Sequence, residues 1–180
     1  MLSAPLRDRF HIREHLEFYE IDELAEIVRR SAKKLKVEID DASAENIAKR
    51  SRGTPRVANN LLRWVRDYAT AKADGIITLD VNEAALKMAG VDSIGLRRED
   101  RDYLMTLIEK FAGGPAGVEA IAHTMQAATD TLEDDIEPFL LRTGVVVRTP
   151  RGRVARAAAY EHLKLDPPKD ASGESQPGLF

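Results

Sequence analysis

The chain has 180 residues, enough for one large domain or two small ones. It is 43% apolar and 32% charged with only 6% aromatics, a helix-rich globular profile that weighs against an all-β sandwich. The formal net charge is −3 and there are no cysteines, which excludes disulfides, thiol catalysis and thiolate metal sites, and confines any polyanion-binding surface to a local patch.

No apolar run approaches the roughly 18 residues of a membrane span. Arg7, Asp8 and Arg9 interrupt the place of a signal peptide's apolar core. A cytoplasmic location without membrane contact is therefore expected.

From Ile21 to Leu35 the spacing of Ile21, Leu24, Ile27 or Val28, and Leu35 predicts an amphipathic helix. A second helix is expected after Asp40 or Asp41, either of which can cap it, burying Ala44, Ile47 and Ala48 and stopping at Gly53. The third has the clearest start: Thr54 as N-cap, Pro55 as first helical residue, then Val57, Leu61, Leu62, Val65 and Ala69 in helical register. Asp74-Gly75 marks a turn, Ile76 to Leu79 a short extended stretch, and Ala84, Leu86 and Met88 a fourth helix ending near Gly90. These make a four-helix unit.

The pattern resets over Ser93 to Leu96, with Gly95 as a hinge. A long helix then turns Tyr103, Leu104, Leu107, Ile108 and Phe111 inward, and Gly113-Gly114-Pro115 turns the chain into a short helix around Val118, Ile121 and Ala122. A single further helix is read from Thr131 through Leu132, Ile136, Phe139 and Leu140. Val145 to Val147 reads as a strand, Arg148 to Arg153 as a hairpin tip, and Val154-Ala155 as the return strand. Three helices followed by a β-hairpin is the order of a winged helix. The tail from Asp166, rich in Pro, Gly, Ser and Asp, is expected to be disordered.

Three places depart from plain structure. Arg56 puts a cation in the first turn of a helix, against the positive end of the macrodipole, at a cost of about 0.3–1 kcal/mol. That position suits an anion clamp for phosphate, or else an arginine that points away into solvent. In Pro5-Leu6-Arg7-Asp8-Arg9, Asp8 either pairs with one arginine in a bland loop or holds one while the other projects toward a neighbour's phosphate; spacing does not choose. The hairpin from Arg148 to Arg156 carries four arginines and no carboxylate, whereas the helix before it carries Asp130, Glu133, Asp134, Asp135 and Glu137. Those carboxylates would repel a polyphosphate, so any DNA contact falls to the wing, on the backbone more than on bases. The alternative is a solvated basic turn.

Other candidates are weaker. His11 and His15 lack carboxylate or thiol partners, so no metal site is expected. Trp64 reads as core or interface. No Ser/His/Asp constellation, HExxH, GxGxxG or GxxxxGK[ST] phosphate loop occurs in the sequence.

The stretches SAPLRDRF (3–10), LEFYEIDELAEIVRRSA (16–32), RSRGTPRVANNLLRWVRDYA (50–69), DGIITLD (74–80), LIEKFAGGPAGVEAIA (107–122) and RTPRGRVA (148–155) together resemble the RuvB family of AAA+ branch-migration ATPases. The resemblance runs to about Leu165. It implies the end of the AAA+ large domain over 1–15, a four-helix AAA+ lid over 16–92, a winged helix over 93–165 and a disordered tail over 166–180. The fold class so implied is mostly α, with a small β-hairpin wing.

Carried over residue by residue, the resemblance implies that Arg9 is an arginine finger reaching ATP on an adjacent subunit, with Arg7 less favoured. It implies that Tyr19 packs at the nucleotide and that Arg56 is the lid's sensor arginine. Arg148 and Arg153 match the family's DNA-backbone contacts, with Arg151 between them. His11 replaces a family glycine in the finger loop, and Thr129 replaces a basic DNA-contacting residue. The family implies an ATP-dependent helicase acting as a homohexamer on duplex DNA at Holliday junctions in recombination and repair. Its cofactor is ATP with magnesium, and its partners are a RuvA-like junction-binding protein and a RuvC-like resolvase. Met1 stands where the family often has a hydrophobic residue, which implies an internal methionine. Without a phosphate loop this chain alone is expected neither to hydrolyse ATP nor to bind it tightly. Two other readings remain: a free-standing winged-helix DNA-binding protein, and an adaptor that co-assembles with intact motor subunits.

Overall fold

The structure is a computed structural model, and it describes residue 9 and residues 17–167. The described residues divide into two compact units, the division falling between Leu86 and Lys87. The expected disorder beyond residue 167 lies outside the described residues.

In the first unit α1 (Ile21–Leu35), α2 (Asp41–Lys49), α3 (Pro55–Lys72) and α4 (Leu79–Met88) form the expected four helices. Leu24 and Val28 of α1, Ala44 and Ile47 of α2, Leu62 and Val65 of α3, and Leu86 of α4 are fully buried together. Small residues at the seams (Ala25, Ala48, Ala58, Ala69 and Ala85, all buried) let the helices approach closely.

Asp40 settles the start of α2, and it does more than cap. Its Oδ1 accepts from the Ser43 amide at 2.6 Å, while its Oδ2 accepts from the Leu79 amide at 3.1 Å. One carboxylate thus serves the first turns of both α2 and α4. The hydrogen bonding around Ser43 holds Asp40 below the usual carboxylate range. The expected extended stretch before α4 is a single parallel bridge, Ile77 to Ile39.

One detail differs from the sequence reading. Helix α2 ends at Lys49 rather than at Gly53. Arg50 there turns back into the unit, 7% exposed, and donates to Glu83 at 2.9 Å. Met88 lies outside the core, whereas Trp64, partly exposed, closes its edge by donating its indole N–H to the Ala85 carbonyl at 2.8 Å.

The second unit holds α5 (Arg98–Phe111), α6 (Val118–Met125), a one-turn α7 (Thr129–Thr131), a π-helical segment Leu132–Ile136, α8 (Glu137–Arg142), β1 (Val146–Thr149), β2 (Gly152–Ala155) and α9 (Ala157–Leu163). Its core joins Tyr103, Leu104 and Leu107 to Ile121, Leu132, Leu140, Val146 and Tyr160. The single helix expected from Thr131 is interrupted, and Pro138 gives the reason. Proline has no amide to return to the carbonyl four residues back and its ring crowds that carbonyl, so the preceding turn widens to π geometry.

The hairpin is tighter than expected. β1 and β2 are antiparallel with Val146 opposite Ala155, Val147 opposite Val154, Arg148 opposite Arg153 and Thr149 opposite Gly152. Arg148 and Arg153 are therefore paired strand residues, and the tip is Pro150-Arg151 alone. The far edge of β2 is stitched to the loop after α5: the Arg153 amide donates to the Ala116 carbonyl at 2.7 Å and the Ala116 amide returns to the Arg153 carbonyl at 3.0 Å. Gly114 and Gly152 make this approach possible. Both have positive φ, and a Cβ on either would collide with backbone, of Arg153 and of Ala116 respectively.

Asp40→Ala should cost about 1–2 kcal/mol, at the upper end for a cap because two helix starts lose an acceptor. Urea unfolding followed by far-UV circular dichroism measures it, and a loss below about 0.5 kcal/mol would count against the shared cap.

Candidate nucleotide and nucleic-acid contact residues

The first candidate region is the N-terminus of α3. Thr54 precedes the helix in extended conformation, but its hydroxyl turns away and donates to the Ser51 carbonyl, so no side chain caps the helix. The first turn contains Pro55 and Arg56 and no acidic residue. The leading amides lack intrahelical acceptors, which leaves a concentrated positive end. Arg56 is exposed and forms no ion pair or side-chain hydrogen bond among the described residues. Tyr19, exposed, is brought here from far along the chain: its amide donates to the Gly53 carbonyl at 3.0 Å, beside Thr54. The uncapped helix end fits an anionic group, and the backbone of Tyr19 is anchored beside it. Arg9 is an exposed turn residue, and Arg7 and His11 lie outside the described residues.

The second candidate region is the hairpin, where the expected charge segregation becomes charge pairing. Glu137, at the first position of α8, is 0% exposed. Its Oε1 accepts from the Tyr103 hydroxyl at 2.8 Å and from Arg153 Nε at 2.8 Å. Its Oε2 accepts from Arg148 through Nε at 3.0 Å and also through Nη2, and from Arg153 Nη2 at 3.1 Å. Arg153 Nη2 reaches Glu133 as well, at 2.9 Å. The π-helical segment sets this up, since Glu133 lies within it and Glu137 directly follows it.

The cluster's electrostatics follow from burial and bonding together. Burial alone would raise the Glu137 pKa. The hydrogen bonds from Arg153, Arg148 and Tyr103 outweigh it and hold the carboxyl below its ordinary 4.5. Tyr103 is pushed well above its usual value by burial and by its bond to the carboxylate. Arg153 is held firmly protonated by the same partner.

The two matched arginines differ in what they leave available. The Arg153 side chain is 14% exposed and that of Arg148 is 47% exposed. Arg151 at the tip and Arg156 after β2 are exposed, with no ion pair among the described residues. Thr129 opens α7 and is half-buried. Among the described residues no cluster of three or more His, Asp or Glu side chains could hold a metal ion, and no helix is long and apolar enough to cross a membrane.

Sequence reasoning found the arginines and missed their partner. The available signal was Glu133 and Glu137 four apart, each one residue after the buried Leu132 and Ile136. That offset keeps both carboxylates beside the apolar stripe rather than opposite it.

Two family models match in tandem and together span nearly all of the described chain: the RuvB AAA lid domain over residues 19–92 and the RuvB C-terminal winged helix domain over residues 93–164. The chain belongs to the RuvB family. A relative from Rhodopirellula baltica, a Holliday junction branch migration complex subunit RuvB, is 60% identical over 168 residues, covering 93% of this chain and 46% of the relative. The protein of the same name from Mycobacterium avium is 52% identical over 179 residues, covering 99% of this chain and 51% of the relative. The solved Thermotoga maritima RuvB Holliday junction branch migration motor superposes with a TM-score of 0.88 at 48% identity, over 93% of this chain and 56% of that one. The chain thus spans about half the length of the RuvB proteins it matches. The mostly helical fold with a two-strand wing is that of the family's lid and winged helix.

The Glu137 cluster has a signed pH consequence. A carboxyl depressed in the folded state stabilises fully above its unfolded pKa, near 4.5, and that contribution is lost as pH falls through the lower folded value. Glu137→Gln should therefore destabilise the second unit by about 3 kcal/mol at pH 7. It should also flatten the fall in stability below pH 4.5, and urea midpoints measured from pH 3 to 7 would show both effects. An unchanged acid limb would mean that Glu137 is not the titrating group.

Proposed function

We propose that this chain is the nucleotide-sensing lid and DNA-gripping wing of an ATP-driven motor that moves Holliday junctions during recombination and repair. The observation that carries this reading is the tandem order of the two RuvB domains over one continuous chain, in the fold of a solved RuvB motor. Its relatives are named as branch migration complex subunits.

In this reading Arg56 and Tyr19 meet ATP from the lid, Arg56 through the uncapped helix end it occupies, where phosphate oxygens find free amides and a guanidinium together. Arg9 acts in trans, toward the nucleotide of the next subunit in a homohexameric ring, with Arg7 the less favoured candidate. ATP with magnesium, when bound, supplies the phosphoryl chemistry. The chain has no phosphate loop pattern of its own, so turnover and tight ATP binding belong to an assembly that includes the family's ATPase domain.

The wing faces duplex DNA and holds its backbone without reading bases, led by Arg151 with Arg148 beside it, while Arg153 lies mostly buried behind. A RuvA-like junction-binding protein loads the ring, a RuvC-like resolvase acts after it, and all work in the cytoplasm. Free-standing regulators and poisoning adaptors would also use the wing, but neither would require Arg9 or Arg56.

Built into the complete motor, Arg9→Ala should lower ATP turnover by roughly 10³-fold. Arg56→Ala should lower it as well, and both should leave duplex affinity intact. Arg151→Ala should leave basal turnover in place and reduce the salt slope of duplex binding by about 0.9. Steady-state ATPase assays and fluorescence anisotropy across a salt series read these effects. Full turnover in both lid and finger variants would overturn the motor reading, and an unchanged slope would remove the wing assignment.

A further inference from the structure

The cluster around Glu137 bears on how strongly the wing can hold DNA. An arginine takes a phosphate best in a fork, two parallel N–H groups on two oxygens. Both wing arginines already commit their Nε and Nη2 donors to a carboxylate, Arg153 as a full fork and Arg148 on one oxygen. Arg153 gives Nε and Nη2 to the two oxygens of Glu137, and Arg148 gives Nε and Nη2 to Oε2 of the same residue. Glu133 takes a further bond from Arg153 Nη2 and stands 3.8 Å from Arg148 Nη2. The edges that would grip phosphate are filled by side chains of the same unit.

Building on the wing reading above, we propose that Glu137 and Glu133 form an intramolecular brake on DNA binding. Their carboxylates occupy the positions that backbone phosphates would take on Arg148 and Arg153. Arg153 then fixes the wing through Glu137, and the duplex is held by Arg151 together with the guanidinium surface that the carboxylates leave open, 47% of the Arg148 side chain and 14% of the Arg153 side chain. Two carboxylates offset two of the four hairpin arginines, and the half-exposed Glu133 is placed to repel an incoming phosphate. A wing braked in this way holds the backbone loosely, as a surface that passes along DNA must.

Glu133 is the residue to change, because its side chain is 40% exposed and the buried Glu137 keeps Arg153 paired without it. Anisotropy of a fluorescein-labelled duplex of about 30 base pairs, titrated with the full 180-residue chain at several salt concentrations, compares wild type, Glu133→Gln and Arg151→Ala, with thermal melts as the fold control. Glu133→Gln is expected to tighten binding by roughly two- to fivefold near 0.1 M salt and to steepen the salt slope, with an unchanged melt. A purely structural role for Glu133 would not raise affinity. Arg153→Lys, which keeps the charge but loses the fork, is expected to lower the melting temperature while leaving the salt slope near wild type.

If Glu133→Gln binds no tighter while Arg151→Ala weakens binding, the brake is overturned and the wing assignment stands. If Arg151→Ala also changes nothing, or if neither wild type nor Glu133→Gln binds duplex, both readings fall together.

Discussion

The second unit is organised around a carboxylate that water cannot reach. Glu137 is buried, and an isolated ionised carboxyl in that position would be expensive enough to stay protonated. It stays charged because Tyr103 on α5, Arg148 on β1 and Arg153 on β2 all donate to it. Three elements distant in sequence are fixed to one pair of oxygens. Apolar packing of Leu104, Leu132, Leu140 and Val146 would hold these elements near one another. The charged cluster adds direction, because a guanidinium fork accepts few orientations. Buried ion pairs are weak evidence of net stability. Here the more telling consequence is a hairpin held at one angle to the helices that carry it.

The π-helical segment before α8 belongs to the same device. A regular helix running through Thr131 to Leu140 would meet Pro138 in its interior, with a missing donor and a ring against the preceding turn. Widening the turn absorbs that conflict and rotates α8 about its own axis. Glu133, within the wide turn, and Glu137, just beyond it, converge on Arg153. The interruption in the helix thus lies one residue before the group on which the wing depends.

Much of this was legible in the sequence, and the failures share a cause. Helix α3 could be placed from Thr54 and Pro55, and α1 from its apolar stripe, because both signals are local. Arg56 stood out for the same reason: a cation at a helix start conflicts with the dipole wherever the helix ends up. Asp40 could be read as a cap, but its second bond, to Leu79, joins residues 39 positions apart and leaves no local trace. The hairpin shows the limit best. Four arginines without a nearby acid in sequence read as a free basic surface, yet Glu137 lies eleven residues from Arg148 and pairs with it in space. Charge segregation along a chain says little about charge segregation in a fold. The pairing of Tyr19 with Gly53, which draws an aromatic toward the α3 terminus, was likewise beyond any spacing rule.

The stitching of β2 to the loop after α5 carries a consequence for reach. With Gly114 and Gly152 letting two backbones touch, β2 is bonded on both edges, to β1 on one side and to Ala116 on the other. Only Pro150 and Arg151 extend past the last paired residues, and proline stiffens even that short tip. Such a hairpin is a knob rather than an arm. It cannot stretch away from the domain that carries it, so what it can touch lies within the length of one arginine side chain of its tip. Any change in what the tip touches must come from moving the whole domain.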